Sequence, residues 1–202
     1  MNVAVLASGT GTNLQALLDR VHGRDGVEIV AVASDKPDAP ALDRARRAGV
    51  ATASFLAADY PRRPARDRAM ADWLIGGGVE LVVLAGYMQL LSAEFLERFP
   101  DRVINVHPAL LPAFPGLRPV DDALAYGVKV FGVTVHFVDG GVDSGPVILQ
   151  RAVELPDARD PASVLDRLHP IEHELLPEAV RLLARGAVSF DPANRRRVVI
   201  ER

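Results

Sequence analysis

The chain has 202 residues, of which 49% are hydrophobic and 24% charged, ordinary globular usage that excludes a disordered polymer. A formal net charge of −3 excludes a generally basic surface of the kind that traps nucleic acid. Cysteine is absent, which removes disulfide scaffolds, Cys-ligated zinc, iron–sulfur clusters and thiol nucleophiles together, and Lys36 and Lys129, the two lysines, leave few groups for Schiff-base chemistry.

Residues 3–7 form a continuous apolar run ended by Ser8-Gly9-Thr10-Gly11-Thr12, the pattern of a buried parallel strand running into a turn. Leu14, Leu17, Leu18 and Val21 share one helical face, so residues 13–21 predict a helix. Residues 27–33 predict a strand, 40–48 a helix closed by Gly49, and 50–55 a short strand. A helix over 64–75 ends at Gly76-Gly77-Gly78, and a fourth strand over 80–85 stops at Gly86-Tyr87-Met88. Ser92 N-caps a short helix, and 102–106 is a fifth strand. Prolines make 108–119 irregular. Residues 128–138 and 147–153 read as antiparallel strands around the turn Asp139-Gly140-Gly141. A long amphipathic helix takes 161–185, and 186–202 predict a hairpin turning at Asp191-Pro192-Ala193-Asn194.

This order predicts an α/β fold: a doubly wound, mostly parallel sheet with antiparallel strands in the C-terminal half. No apolar stretch reaches the ~20 residues of a membrane helix, and the N-terminus lacks the pattern of an export signal. A cytoplasmic protein with small-molecule substrates is expected, with no nucleic-acid or membrane partner, as a monomer or homodimer.

Three places suit chemistry. Ser8-Gly9-Thr10-Gly11-Thr12-Asn13 joins a strand to a helix, where glycines let backbone amides approach an anion and the helix end adds positive potential. Leu14 stands where the dinucleotide fingerprint has its third glycine, so a single phosphate fits better than a pyrophosphate; a plain strand–helix turn is the bland alternative. Asn105 and His107 alternate onto one side at the end of the fifth strand, where α/β sheets bind ligands, and an amide beside an imidazole suits a developing oxyanion. Asp143, in Asp143-Ser144-Gly145-Pro146, is either a turn residue or a carboxylate that favours a charged histidine. His136 reads as core or site. Arg195-Arg196-Arg197 reads as a solvated edge that discourages strand pairing. No His/Asp/Glu cluster has zinc spacing, so no metal is expected.

These segments together resemble the glycinamide ribonucleotide formyltransferase family over nearly the whole chain. The resemblance rests on the 3–16 run, Val82-Val83-Leu84-Ala85-Gly86-Tyr87-Met88, Asn105-Val106-His107-Pro108, Gly132-Val133-Thr134-Val135-His136, Asp143-Ser144-Gly145-Pro146 and Glu172-His173. It implies a Rossmann-like formyltransferase fold in a single catalytic domain over 1–202, with a phosphate-binding half at 1–100 and a folate-binding, catalytic half at 101–202. It implies transfer of a formyl group from the cosubstrate 10-formyltetrahydrofolate to the amine of glycinamide ribonucleotide, without a metal. It assigns catalysis to Asn105, His107 and Asp143. Gly11, Thr12, Asn13, Gly86, Pro108 and Glu172 would bind the ribonucleotide. Arg63, Met88, Gln89, Leu90, Leu91, Asn105, Asp139 and Asp143 would bind the folate. Gln89 departs from an arginine found in some relatives, and 116–120 departs from a histidine-containing stretch. A formyltetrahydrofolate hydrolase and a non-catalytic nucleotide binder stand as alternatives; a first strand starting at residue 2 is expected to disfavour the hydrolase.

Overall fold

The computed structural model describes residues 1–201, and the last residue of the expected hairpin lies outside them. The chain divides at Ile104/Asn105 into two compact units.

In the first unit, β1 (Asn2–Leu6), β2 (Glu28–Ser34), β3 (Ala51–Ser54) and β4 (Leu81–Leu84) pair in parallel in the order β3-β2-β1-β4. Val3, Ala4, Val5 and Leu6 are all fully buried. Successive side chains point to opposite faces, so β1 is covered on both, as its unbroken apolar run implies. The helices are α1 (Thr12–Arg20), α2 (Pro40–Arg47), α3 (Arg63–Gly76) and α4 (Ala93–Arg98). Leu14 and Leu17 of α1 are fully buried, each worth about 1.5–3 kcal/mol relative to exposure. Ala41, Leu42 and Ala45 turn the other face of α2 inward, while Arg44, Arg46 and Arg47 occupy its last turn, where cations complement the helix dipole. The predicted cap of α4 is made: Ser92 Oγ accepts the Phe95 N–H at 3.4 Å.

β5 (Val103–His107) carries the chain from one unit into the other. The second unit holds α5 (Pro119–Tyr126), β6 (Val130–Phe137), β7 (Val147–Glu154), α6 (Pro161–Ala184), β8 (Val188–Asp191) and β9 (Asn194–Ile200). Its strand order is β6-β7-β9-β8; β6/β7 and β8/β9 are antiparallel and β7/β9 parallel. The chain is thus of the expected α/β class, with nine strands among the described residues, parallel first and antiparallel late. The β6/β7 register shifts between Val135 and His136. Such a bulge re-aims the side chain next to it.

α5 has no counterpart among the predicted elements. Its signals are present: Pro119 in the first turn, Asp121 and Asp122 beside it, and Gly127 as a left-handed C-cap at φ 86°. The proline that opens the helix blends, in sequence, with the irregular prolines before it. α6 contains Pro170 and Pro177, each of which removes a ladder hydrogen bond. The helix continues because Val164, Leu168, Leu175, Leu176 and Val180 are buried as it packs on β6 and β7. No helix among the described residues is long and apolar enough to cross a membrane.

Candidate active site

Alternation along β5 brings Asn105 and His107 to the same carboxylate. His107 Nδ1 lies 3.5 Å from Asp143 Oδ2, and Asn105 Nδ2 lies 3.3 Å from Asp143 Oδ1. His107 Nε2 is 2.8 Å from the Phe114 carbonyl oxygen. A carbonyl only accepts, so Nε2 carries a proton and Nδ1 is the ring atom left for chemistry. Phe114 is held in turn, its ring edge-on to Tyr126 of α5. α5, which has no counterpart among the expected elements, thus supports the hydrogen-bond partner of the His107 ring.

Asp143 Oδ2 also accepts the Gly116 N–H at 2.8 Å, and Oδ1 lies 3.6 Å from His136 Nε2. His136 is buried, with Nδ1 2.8 Å from the Phe137 carbonyl oxygen. Its Nε2 therefore accepts from Asn105 Nδ2, 3.3 Å away, when the ring is neutral, and donates toward Asp143 when it is charged. The amide nitrogen of Asn105 is thus shared by two acceptors at loose distances.

Burial pushes the His107 imidazole below its ordinary range; the Phe114 carbonyl and the Asp143 charge pull it up, and His136 pushes it further down. The net direction is downward. This revises the expectation that Asp143 keeps His107 charged: desolvation outweighs the carboxylate, and the resting ring is biased to neutral. Burial pushes Asp143 up, but hydrogen bonds from His136 and Gly116 and the two nearby imidazoles outweigh it, so the carboxyl lies below its usual range.

The loop that presents Asp143 is closely constrained. Asp143 itself has a left-handed backbone at φ 49°. Asp139 Oδ1 accepts both the Gly141 N–H at 3.0 Å and the Ser144 hydroxyl at 2.6 Å. A Cβ on Gly145 would stand 1.7 Å from the Phe137 carbonyl oxygen. After His107, Thr134 Oγ1 donates to the Ala109 carbonyl at 2.6 Å and accepts the Leu111 N–H at 3.1 Å, fixing the run that begins at Pro108. Glu172 is buried in α6.

In the first unit, Gly11 is the N-cap of α1 at φ 72°, and no side chain caps that helix. A helix end of this kind is the arrangement that accepts a phosphate. Thr12 and Asn13 open the helix. Arg44 holds the loop from α2, with Nε donating to the Thr10 carbonyl at 2.8 Å and Nη1 to Gln15 Oε1 at 3.0 Å. A Cβ on Gly11 would meet Ala41 at 2.8 Å, so glycine is demanded by the packing of α2 as well as by φ. Ser8 ties the loop to the end of β4: its N–H donates to the Gly86 carbonyl, and its Oγ accepts the Met88 N–H at 2.8 Å.

Arg63 is exposed at the start of α3. Arg66, on the same helix, meets the 88–91 segment. It is buried and donates to Gln89 Oε1 at 3.2 Å and the Leu90 carbonyl at 3.4 Å, while its Nε and Nη2 bind Asp67 Oδ1. Asp67 is fully buried, and its other oxygen accepts the Ser92 N–H at 2.7 Å. Gln89 continues the chain of contacts to Asp35 Oδ2 at 3.1 Å, and Met88 and Leu90 are left more than half exposed. Among the described residues no group of three or more His, Cys, Asp or Glu side chains converges for a metal.

Residues 1–180 match the family model described as formyl transferase. The chain belongs to the formyl transferase family. It is 44% identical over 187 residues to the phosphoribosylglycinamide formyltransferase of Mycobacterium tuberculosis, covering 93% of this chain and 86% of that protein. It is 40% identical over 189 residues to the human trifunctional purine biosynthetic protein adenosine-3, covering 93% of this chain and 19% of that much longer protein. The crystal structure of glycinamide ribonucleotide transformylase 1 from Symbiobacterium toebii superposes with a TM-score of 0.95 at 48% identity, over 100% of this chain and 94% of that one. Membership makes the chain an enzyme of formyl transfer, and formyl-folate is the cosubstrate of the family.

Three groups around these formyl transferase motifs have no assignment from sequence. His136 reads there as either core or site; its one signal is a polar residue inside an apolar strand. Gly116 acts through its backbone N–H, which no residue type announces. Arg66 and Asp67 stand side by side on α3, and adjacent opposite charges ordinarily read as a solvated helix face.

Proposed function

We propose that this chain transfers the formyl group of 10-formyltetrahydrofolate to the amine of glycinamide ribonucleotide. Two of the relatives named above, from Mycobacterium tuberculosis and Symbiobacterium toebii, are named for that ribonucleotide. The observation that carries the mechanism is the His107 imidazole, buried, biased to neutral, with Nε2 committed to Phe114 and Nδ1 beside the Asp143 carboxylate.

The substrate nitrogen attacks the formyl carbon, and the carbonyl π electrons move onto oxygen. His107 Nδ1 takes the proton that the amine must lose, and Asp143 stabilises the imidazolium so formed. The same proton goes to the leaving folate nitrogen as its bond to carbon breaks and the carbonyl re-forms. Asn105, whose N–H groups are held loosely at 3.3 Å, re-aims one of them at the oxyanion. Such a donor is worth about 3–4 kcal/mol in comparable sites. No covalent enzyme intermediate is involved, in keeping with a chain that lacks cysteine.

Gly11, Thr12 and Asn13 hold the ribonucleotide phosphate at the α1 end, and Gly86, Pro108 and Glu172 contact the rest of that substrate. The folate is met by Met88, Gln89, Leu90, Leu91, Asn105, Asp139 and Asp143. Arg63 meets the folate from the start of α3, and Arg66 supports the 88–91 segment from within. The enzyme works in the cytoplasm on small molecules, as a single catalytic domain.

The test is turnover of formyl-folate, followed by folate absorbance, with and without glycinamide ribonucleotide. Turnover that requires the ribonucleotide is the expected result. Equal turnover without it identifies a hydrolase, and no turnover in either mixture leaves a nucleotide binder.

A further inference from the structure

Three consecutive arginines of β9 have three different surroundings. Arg197 is 74% exposed and 3.7 Å from Asp191. Arg195 lies over the Phe190 ring at 4.6 Å. Arg196, also exposed, reaches along the surface, and its Nη2 donates to the Ser144 carbonyl oxygen at 2.6 Å.

Ser144 directly follows Asp143, which sits in a left-handed conformation that side chains rarely adopt. Such a residue persists when its surroundings over-determine it. Two of the restraints are local, the Asp139 cap and the packing of Gly145 on Phe137. From farther along the chain, Gly116 and Asn105 hold the Asp143 side chain, and Arg196, 52 residues from Ser144, holds the loop backbone next to it. Arg196 reaches from a fixed platform. Phe190 of β8 packs on Phe137 with ring centroids 4.9 Å apart, and β9 pairs with β7 at Val147 and Arg197. The hairpin is therefore attached to the last residue of β6 and the first of β7, the two ends of the Asp143 loop. It also lies beyond residues 1–180, the part matched by the family model.

We infer that Arg196 is a positioning residue for the formyl transfer: by holding the Ser144 carbonyl it sets the Asp143 carboxylate against His107, and so enlists the C-terminal hairpin in the catalytic machinery. This rests on the role proposed above for Asp143. Arg196 is exposed, and an exposed polar contact adds little to global stability. Loss of the contact displaces the carboxylate while leaving the fold intact, and a displacement of about 1 Å is enough to cost up to ~10²-fold in rate.

The experiment compares Arg196→Met, Arg196→Lys, Arg197→Met and Asp143→Asn in the full chain. It reads kcat, both KM values, Tm and the titration of the His107 ring by NMR. The groups facing that ring are Asp143, His136 and the Phe114 carbonyl, and of the charged ones Asp143 raises its pKa. Arg196→Met is expected to lower kcat about tenfold, with the ribonucleotide KM and Tm nearly unchanged and the His107 midpoint moved to lower pH. Arg196→Lys recovers part of kcat, and Arg197→Met behaves as the parent. A wild-type kcat and an unmoved His107 midpoint in Arg196→Met, with Asp143→Asn inactive, overturn the inference alone. A fall in kcat that tracks a fall in Tm with no change in the titration overturns it too, since that is a structural role. Full activity in Asp143→Asn overturns the reading of Asp143 on which the inference rests.

Discussion

One oxygen of Asp143 serves two partners: Oδ2 lies 3.5 Å from His107 Nδ1 and accepts the Gly116 N–H at 2.8 Å. The backbone amide holds the carboxylate whether or not the imidazole is charged. A carboxylate fixed in this way stabilises a proton arriving on Nδ1 without reorganising, which is where preorganised electrostatics act.

Replacing Asp143 by Asn keeps the shape and removes the charge proposed to stabilise the imidazolium. The expected loss is in kcat, by about 10²–10⁴ as for other proton-transfer groups, with the ribonucleotide KM nearly unchanged. Steady-state kinetics with each substrate varied separately reads this. A kcat within a few-fold of the parent would remove Asp143 from the proton path.

The direction of the His107 shift gives the pH dependence a sign. Its ordinary pKa is 6.5 and the folded value lies below that, so the neutral ring proposed to accept the amine proton persists under mildly acidic conditions. The acid limb of the kcat profile should therefore have its midpoint below pH 6.5. The native state resists protonation there more than the unfolded chain does, so stability falls as pH drops through 6.5 toward the folded value. Asp143, shifted below its ordinary 3.8, acts in the same sense at lower pH: its contribution is present above 3.8 and is lost as pH falls through its folded value. A pH series of kcat beside one of Tm measures both, and an acid limb centred above 6.5 contradicts the assignment to His107.

Gly11→Val places a Cβ 2.8 Å from Ala41 at a backbone φ of 72°. Overpacking of this kind costs about 1–3 kcal/mol, and the left-handed backbone adds about 1–2. The variant should unfold at lower denaturant concentration and bind the ribonucleotide more weakly, because α1 must shift to admit the side chain. Normal stability with a normal ribonucleotide KM would count against both the packing and the phosphate assignments.

Arg66→Met leaves Asp67 fully buried with its charge unpaired. Removing one partner of such a pair costs about 3–5 kcal/mol. The folate KM should rise as Gln89 and the Leu90 carbonyl lose their support. The double variant Arg66→Met/Asp67→Asn keeps an acceptor for the Ser92 N–H and removes the orphan charge, so equilibrium denaturation should show part of the stability restored. A double variant no more stable than the single one would show that the pair's charge is not what Arg66 offsets.

Much of the fold is legible in the sequence because it rests on short-range pattern. Val3 to Leu6 reads as a doubly covered strand from its apolar run alone, and Ser92 reads as a cap because its hydroxyl has only one local use. α5 is hidden because Pro119 has two meanings, a loop residue or a first helical residue, and the choice depends on the packing of residues 120–126 rather than on the proline. The site divides along the same line. Asn105 and His107 share a side by strand alternation, which two positions in sequence suffice to show.

What the sequence determined by itself is the α/β class and the family, because periodicity and motif are properties of neighbouring residues. What the tertiary structure decided is how the groups of the site are set. It brought Asp143 to His107 across 36 positions, added the backbone N–H of Gly116 and the ring of His136, and set Arg66 beneath Gln89. It also reversed the expected charge bias of His107. The physical reason is the same in each case: desolvation and long-range hydrogen bonds depend on which atoms exclude water from which, and only the packed chain specifies that.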